Sequence, residues 1–175
     1  MKTRKGFTLI ELLVVIAIIG LLSTLAVVAL NSARQKARDS KRVSDMKQLQ
    51  TALEIYFNDK GAYAPESGDG EIGNPTNGQG CLGDLGWELD TSCAAPIYMG
   101  LTPRDPSNTA SNPGSDNPCE TEGALPCNYS YDQINVGTGT ANGYEIHFRL
   151  EANTGGLNSG LNCATEAGTG GSCSH

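Results

Sequence analysis

The sequence predicts an α+β protein: one long N-terminal helix whose second half packs against a small antiparallel sheet with long, disulfide-stapled loops. Three observations lead there. Residues Leu12 to Leu30 form an uncharged run interrupted only by Gly20, Ser23 and Thr24. Apolar residues then recur at helical spacing as far as Phe57. From Gly61 onward the composition changes: all eight prolines and twenty of the 22 glycines fall there, together with a stretch of strict alternation at 143–151.

The apolar run comes first. At about 1.5 Å per residue it reaches roughly 28 Å, close to the hydrocarbon thickness of a bilayer. Lys2, Arg4 and Lys5 precede it, so the positive-inside rule puts the N-terminus in the cytoplasm and the remainder outside. Beyond the run, Ala33, Ala37, Val43, Met46, Leu49, Leu53, Tyr56 and Phe57 make one apolar stripe, with Arg34, Lys36, Arg38, Lys41, Arg42 and Lys47 on the remaining faces. The first proline is Pro65, and Gly61 suits a helix C-terminus. One helix from Phe7 to about Asn58 is the simplest reading, half in lipid and half crossing a domain. Two helices broken near Asn31–Ser32 would change little.

The rest of the chain reads as a loop-rich head with a hairpin. In 143–151, Tyr144, Ile146, Phe148 and Leu150 share one face while Glu145, His147, Arg149 and Glu151 share the other. Asn128 to Val136 behaves similarly, with Tyr129 and Tyr131 inward, and Gly137–Asn142 supplies the turn. The apolar face needs a cover, and the stripe on the 33–57 helix provides one.

Charge and cysteine bound the function. Residues 1–60 carry a net +5 and residues 61–175 a net −12. So acidic a head has no attraction for phosphate backbones, which argues against nucleic acid as a partner. The six cysteines, Cys81, Cys93, Cys119, Cys127, Cys163 and Cys173, all lie in the part expected outside. An even set there reads as a disulfide framework formed in an oxidising compartment. Six cysteines allow 15 pairings, and the sequential scheme 81–93, 119–127, 163–173, which closes the shortest loops, is preferred.

The N-terminus, Lys5-Gly6-Phe7-Thr8-Leu9-Ile10-Glu11-Leu12, closely resembles the prepilin signature of type IV pilins and of the pseudopilins of type II secretion. In that family a membrane peptidase cuts after the glycine and methylates the new terminal amine. The resemblance implies cleavage between Gly6 and Phe7, with Phe7 as the N-methylated first residue. It divides the chain into a leader (1–6), a transmembrane and filament-core helix (7–30), an amphipathic continuation (31–60) and a pilin-like globular head (61–175). Asp59-Lys-Gly-Ala-Tyr63, Pro103-Arg-Asp-Pro106, Tyr129-Ser-Tyr131 and Tyr144-Glu-Ile146 are similar, in order, to landmarks of the same family. Many members carry a proline in the second half of the apolar helix, where this chain has Val28.

Glu11 is the residue whose chemistry matters most. A carboxylate in an apolar segment costs roughly 2.5–3.5 kcal/mol and so requires a partner. Cleavage after Gly6 would create one, an α-amino group with an ordinary pKa of about 8. The resemblance implies that Glu11 neutralises the Phe7 amine of a neighbouring subunit and sets the axial register of a filament. Partners implied with it are further copies of the chain, the prepilin peptidase, an inner-membrane assembly platform and the membrane itself. The destination is a surface pilus or a periplasmic pseudopilus. The plainer alternative for Glu11 is an acid favoured by the helix macrodipole.

Val27-Val-Ala29 would serve a cleavable signal peptide, but the apolar run is too long and carries Glu11 at its mouth. A membrane-anchored enzyme would have only His147 and His175 for general-base work; His147 reads as a solvated sheet residue, and no nucleophile elbow or phosphate loop is present. No cofactor is required. Because major pseudopilins bind calcium in their C-terminal loops, Asp105, Asn108 and Asp116 are candidate ligands, against the preferred reading of a polar turn rich in Asp, Asn and Gly.

Overall fold

The computed structural model describes residues 6–66, 70–73, 79–89, 92–107, 119, 127–134, 142–170 and 173. The chain forms two compact units, Met1–Ala37 and Arg38–His175. Helix α1 (Leu9–Lys60) contributes to both.

Both ends of α1 follow from local sequence. Thr8 precedes the first turn, and Lys60 is followed by Gly61, whose φ of 74° and 2.7 Å N–H bond to the Phe57 carbonyl close the last turn. Within the N-terminal unit the apolar side chains are exposed throughout, Leu21 by 65% and Val28 by 69%. By length and composition α1 is the one helix among the described residues able to cross a membrane. The hydroxyls in this stretch are satisfied within the helix: Ser23 Oγ donates to the Ile19 carbonyl (2.7 Å) and Thr24 Oγ1 to that of Leu21 (2.8 Å).

In the head, α1 from Arg38 onward lies against a four-stranded antiparallel meander in the order β3 (Ser130–Ile134), β4 (Gly143–Leu150), β5 (Gly160–Thr165), β6 (Gly168–Gly170). A small hairpin, β1 (Cys81–Gly83) and β2 (Gly86–Glu88), stands apart from that sheet. Gly86 makes its turn possible: φ is 102°, and a Cβ there would come within 2.8 Å of Pro65 Cδ. Met46, Leu49, Leu53 and Tyr56 recur at spacings of three and four, so they share one helix face. They form a single core with Tyr129, Tyr131, Tyr144, Ile146, Phe148 and Leu150. Two buried tyrosine hydroxyls find partners, Tyr131 on the Ala64 carbonyl (2.6 Å) and Tyr63 on Glu54 (2.8 Å). The expected α+β fold is present, and so are the bridges Cys81–Cys93, Cys119–Cys127 and Cys163–Cys173.

The register β3–β4 pairs Tyr131 with Ile146, as an inward tyrosine requires, and the residues expected to form the connecting turn, 137–141, lie outside the described ones. Three expectations need correction. Ala33 and Ala37 are exposed, so the buried stripe starts later on the helix. Arg42, read on a face away from the apolar stripe, is fully buried among carboxylates. His147, read as solvated because it alternates with the inward residues, is fully buried as well, and Glu145 is 3% exposed. Both faces of β4 are covered, which alternation alone cannot register. Strands β1, β2, β5 and β6 went unread because they are short or glycine-bounded and have no long alternation.

Candidate functional site

The N-terminal segment concentrates the features expected of a processed, assembling subunit. Gly6 and Phe7 precede the helix in irregular backbone; Phe7 is 83% exposed and a Cβ at Gly6 would touch nothing within 4 Å. The peptide bond between them therefore lies ahead of the helix, in exposed backbone of no regular structure.

Glu11, the sole ionisable side chain from Phe7 to Ala33, sits in the first turn. Its Oε2 accepts the Thr8 backbone N–H at 2.9 Å and the Thr8 hydroxyl at 2.6 Å, while Thr8 Oγ1 lies 3.3 Å from the Glu11 N–H. This is a capping box, Thr-x-x-Glu, in which cap and acid satisfy otherwise unpaired N–H groups at the helix start. The sequence Thr8-Leu-Ile-Glu11 carries the signal for this cap, a threonine followed three residues later by glutamate ahead of an apolar run. In the uncleaved chain the Phe7 nitrogen is an amide, so no amine competes for the carboxylate.

A second cluster lies within the head. Arg42 donates from Nε and Nη2 to the two oxygens of Asp105 (2.7 and 3.0 Å), and from Nη1 to Asp39 (2.6 Å) and Glu151 (2.8 Å). Arg38 adds a two-pronged contact to Glu151, one arm at 2.6 Å. Asp39 also accepts the backbone N–H groups of Glu151 and Ala152 (3.0 and 2.8 Å). Burial works against the Arg42 charge, but Asp105 and then Glu151 and Asp39 outweigh it, and its pKa rises above the ordinary guanidinium value. The hydrogen bonds from Arg38, opposed by partial burial and reinforced by Arg42, hold the Glu151 carboxyl down at about 2. Sequence spacing carried a faint signal here, since Asp39 and Arg42 form an i,i+3 pair in phase with Met46 and Leu49.

Of the candidate calcium ligands, Asp105 is taken up by Arg42 and by the Ser107 N–H (2.8 Å); Asn108 and Asp116 lie outside the described residues. Around His147, Ser130 Oγ and Asp132 Oδ2 each lie 3.2 Å from Nδ1, and Glu145 Oε2 lies 3.7 Å from Nε2. A serine, a histidine and carboxylates thus meet, yet Ser130 and His147 are both fully buried, so a substrate carbonyl has no approach to the hydroxyl in this fold. His175 lies outside the described residues.

Comparison with known proteins bears on the first cluster. Residues 1–27 match the family described as the prokaryotic N-terminal methylation motif. The chain is 40% identical over 77 residues to the type II secretion system core protein G of Aeromonas hydrophila, a match covering 43% of this chain and 54% of that one. It is 35% identical over 105 residues to the type IV major fimbrial protein FimA of Dichelobacter nodosus, covering 59% of this chain and 62% of that one. The core protein G of Escherichia coli K12 is 45% identical over 60 residues, 34% of this chain and 41% of that one. The chain thus spans between half and two thirds of the first two relatives. No solved structure matches it. The chain carries the prepilin-type signature, joined to a pilin-like α+β head, and is similar to both fimbrial and secretion subunits.

Proposed function

We propose that this chain is a structural subunit of a type IV pilus-like filament, cut by a prepilin peptidase between Gly6 and Phe7, N-methylated at Phe7 and assembled through its N-terminal helix. One observation carries the reading: Glu11, the sole charge in the exposed apolar segment from Phe7 to Ala33, lies one turn from the bond whose cleavage would create a cation. Cleavage turns the Phe7 amide into an ammonium. In a low-dielectric bundle of helices that ion requires an opposite charge, and Glu11 of a neighbouring copy supplies it. The role is structural and not enzymatic. The N-terminus faces the cytoplasm before assembly, the head faces outward, and an inner-membrane platform receives the subunit. No cofactor takes part; the engagement of Asp105 by Arg42 supports a head held by ion pairs rather than by calcium. The pseudopilus of a type II secretion system is the second reading, supported by the core protein G relatives. The match to FimA, 105 residues against 77 for the core protein G of Aeromonas hydrophila, covers more of this chain and supports the pilus.

The capping box makes the test sharper. Glu11→Ala removes both charge and cap, whereas Glu11→Gln keeps an amide oxygen for the Thr8 N–H and removes only the charge. Both variants should be inserted and cut, then accumulate in the membrane with sheared-fibre yield down about tenfold or more, as an unpaired buried ion implies. Normal fibres from Glu11→Gln beside poor fibres from Glu11→Ala would reduce Glu11 to a helix cap and sink the proposal.

A further inference from the structure

The fold sorts the charges of α1 by sign. Between Ala33 and Leu53 the helix carries two acids, Asp39 and Asp45, and both are buried, at 0% and 3% exposure. Its cations are treated differently. Arg34 and Lys36 in the N-terminal unit, and Lys41 and Lys47 in the head unit, are all exposed. Lys41 reaches Asp45 at 2.9 Å, whereas Arg34, Lys36 and Lys47 make no ion pair among the described residues. The solvent side of this stretch therefore carries positive charge only. The remainder of the head has the opposite excess. From Gly61 onward only Arg104 and Arg149 are basic, against fourteen acids. Glu166, exposed at the turn between β5 and β6, makes no ion pair among the described residues.

Resting on the filament reading above, we propose that the cationic outer side of α1, with Arg34, Lys36, Lys41 and Lys47, is an interface that takes the acidic head of a second copy of this chain. Charge complementarity names the occupant. Two like faces repel, so a symmetric pair that joins helix side to helix side is disfavoured. Joining a positive face to a negative one leaves one face of each kind open on the pair. That is the heterologous contact from which an open filament grows. An anionic lipid surface would attract Arg34 and Lys36 as well, since they follow the apolar run closely. It does not account for Lys47, 17 positions past Leu30, on the order of 25 Å of helix and beyond a screening length of about 8–10 Å. The net charge of −12 over 61–175 would also be repelled by such a surface. Exposed ion pairs are individually weak. Each copy inside a filament makes this contact twice, once with its helix and once with its head, so the effect recurs along the whole polymer.

The test uses fibres grown from an equal mixture of ordinary and heavy-nitrogen full chains. A water-soluble carbodiimide then joins amines to carboxylates that are in contact. Cross-links between light and heavy copies should join Lys36, Lys41 or Lys47 to acids of the 61–175 head. They should be absent from detergent-dispersed chains and should weaken as salt rises from about 0.1 to about 1 M, which shortens screening from about 10 to about 3 Å. Lys36→Glu/Lys47→Glu changes two exposed side chains outside the core. It should leave processing and Trp87-monitored unfolding unchanged and lower sheared-fibre yield about fivefold, the effect of one or two exposed pairs. Cross-links confined to single copies, or full fibre yield from Lys36→Glu/Lys47→Glu, would overturn the interface and leave the filament reading standing. Unaffected fibres beside lost binding to vesicles of anionic lipid would overturn it too and give these cations to the membrane. Absence of fibres from the unaltered chain would remove the filament reading, and this interface with it.

Discussion

Arg42→Met offers a measure of what holds the head to its helix. The side chain is fully buried, and its guanidinium serves Asp39 and Asp105, themselves buried, and the mostly buried Glu151. Methionine fills similar volume but leaves these carboxylates without their shared cation. Removing one member of a buried ion pair costs about 3–5 kcal/mol. Here the survivors keep some support: Asp39 retains two backbone N–H groups, Glu151 retains Arg38, and Asp105 retains the Ser107 N–H. The loss should therefore sit at the lower end, about 3 kcal/mol, which for a head of this size lowers Tm on the order of 10 °C. Trp87, the chain's single tryptophan and 6% exposed, reports head unfolding directly by fluorescence. Asp105 is the carboxylate left with least, so adding Asp105→Asn to Arg42→Met should restore roughly 1 kcal/mol, a non-additivity expected of groups in one network. A loss under about 1 kcal/mol for Arg42→Met, or a double variant weaker than the single, would refute the idea that the cluster acts as one buried unit.

Two further outcomes are expected. Because the folded Glu151 carboxyl is held at about 2, below its ordinary value of 4.5, its contribution is fully present above pH 4.5 and is lost as pH falls towards 2; the Trp87 unfolding midpoint should decline through that window, and Glu151→Gln should flatten the decline. Intact-mass measurement of membrane and fibre fractions should give a mature chain that starts at Phe7 and carries one added methyl; a start near Leu30 would instead indicate ordinary secretion.

The sequence by itself determined what depends on neighbours along the chain. Helix α1 and its end at Gly61, an apolar stretch long enough to cross a membrane, the prepilin-type motif around Gly6-Phe7 and the alternation that builds β4 are all local patterns of hydrophobicity and backbone preference. The disulfide pairing was legible too, because each bridge joins cysteines close in sequence. Only the tertiary structure decided the fate of charges. Arg42, Asp39 and Asp105 look like solvated residues when read singly, and they become an interior cluster because Glu151, just past the end of β4, and Asp105 both reach Arg42 on the helix. His147 and Glu145 are polar members of an alternating strand, yet their outer face is buried where the bridge to Cys173 lies. Whether an ionisable side chain meets water or a partner is a property of what packs over it, and those partners lie 63 and 109 residues away from Arg42. No periodicity encodes them; only the folded chain brings the charges within hydrogen-bonding distance.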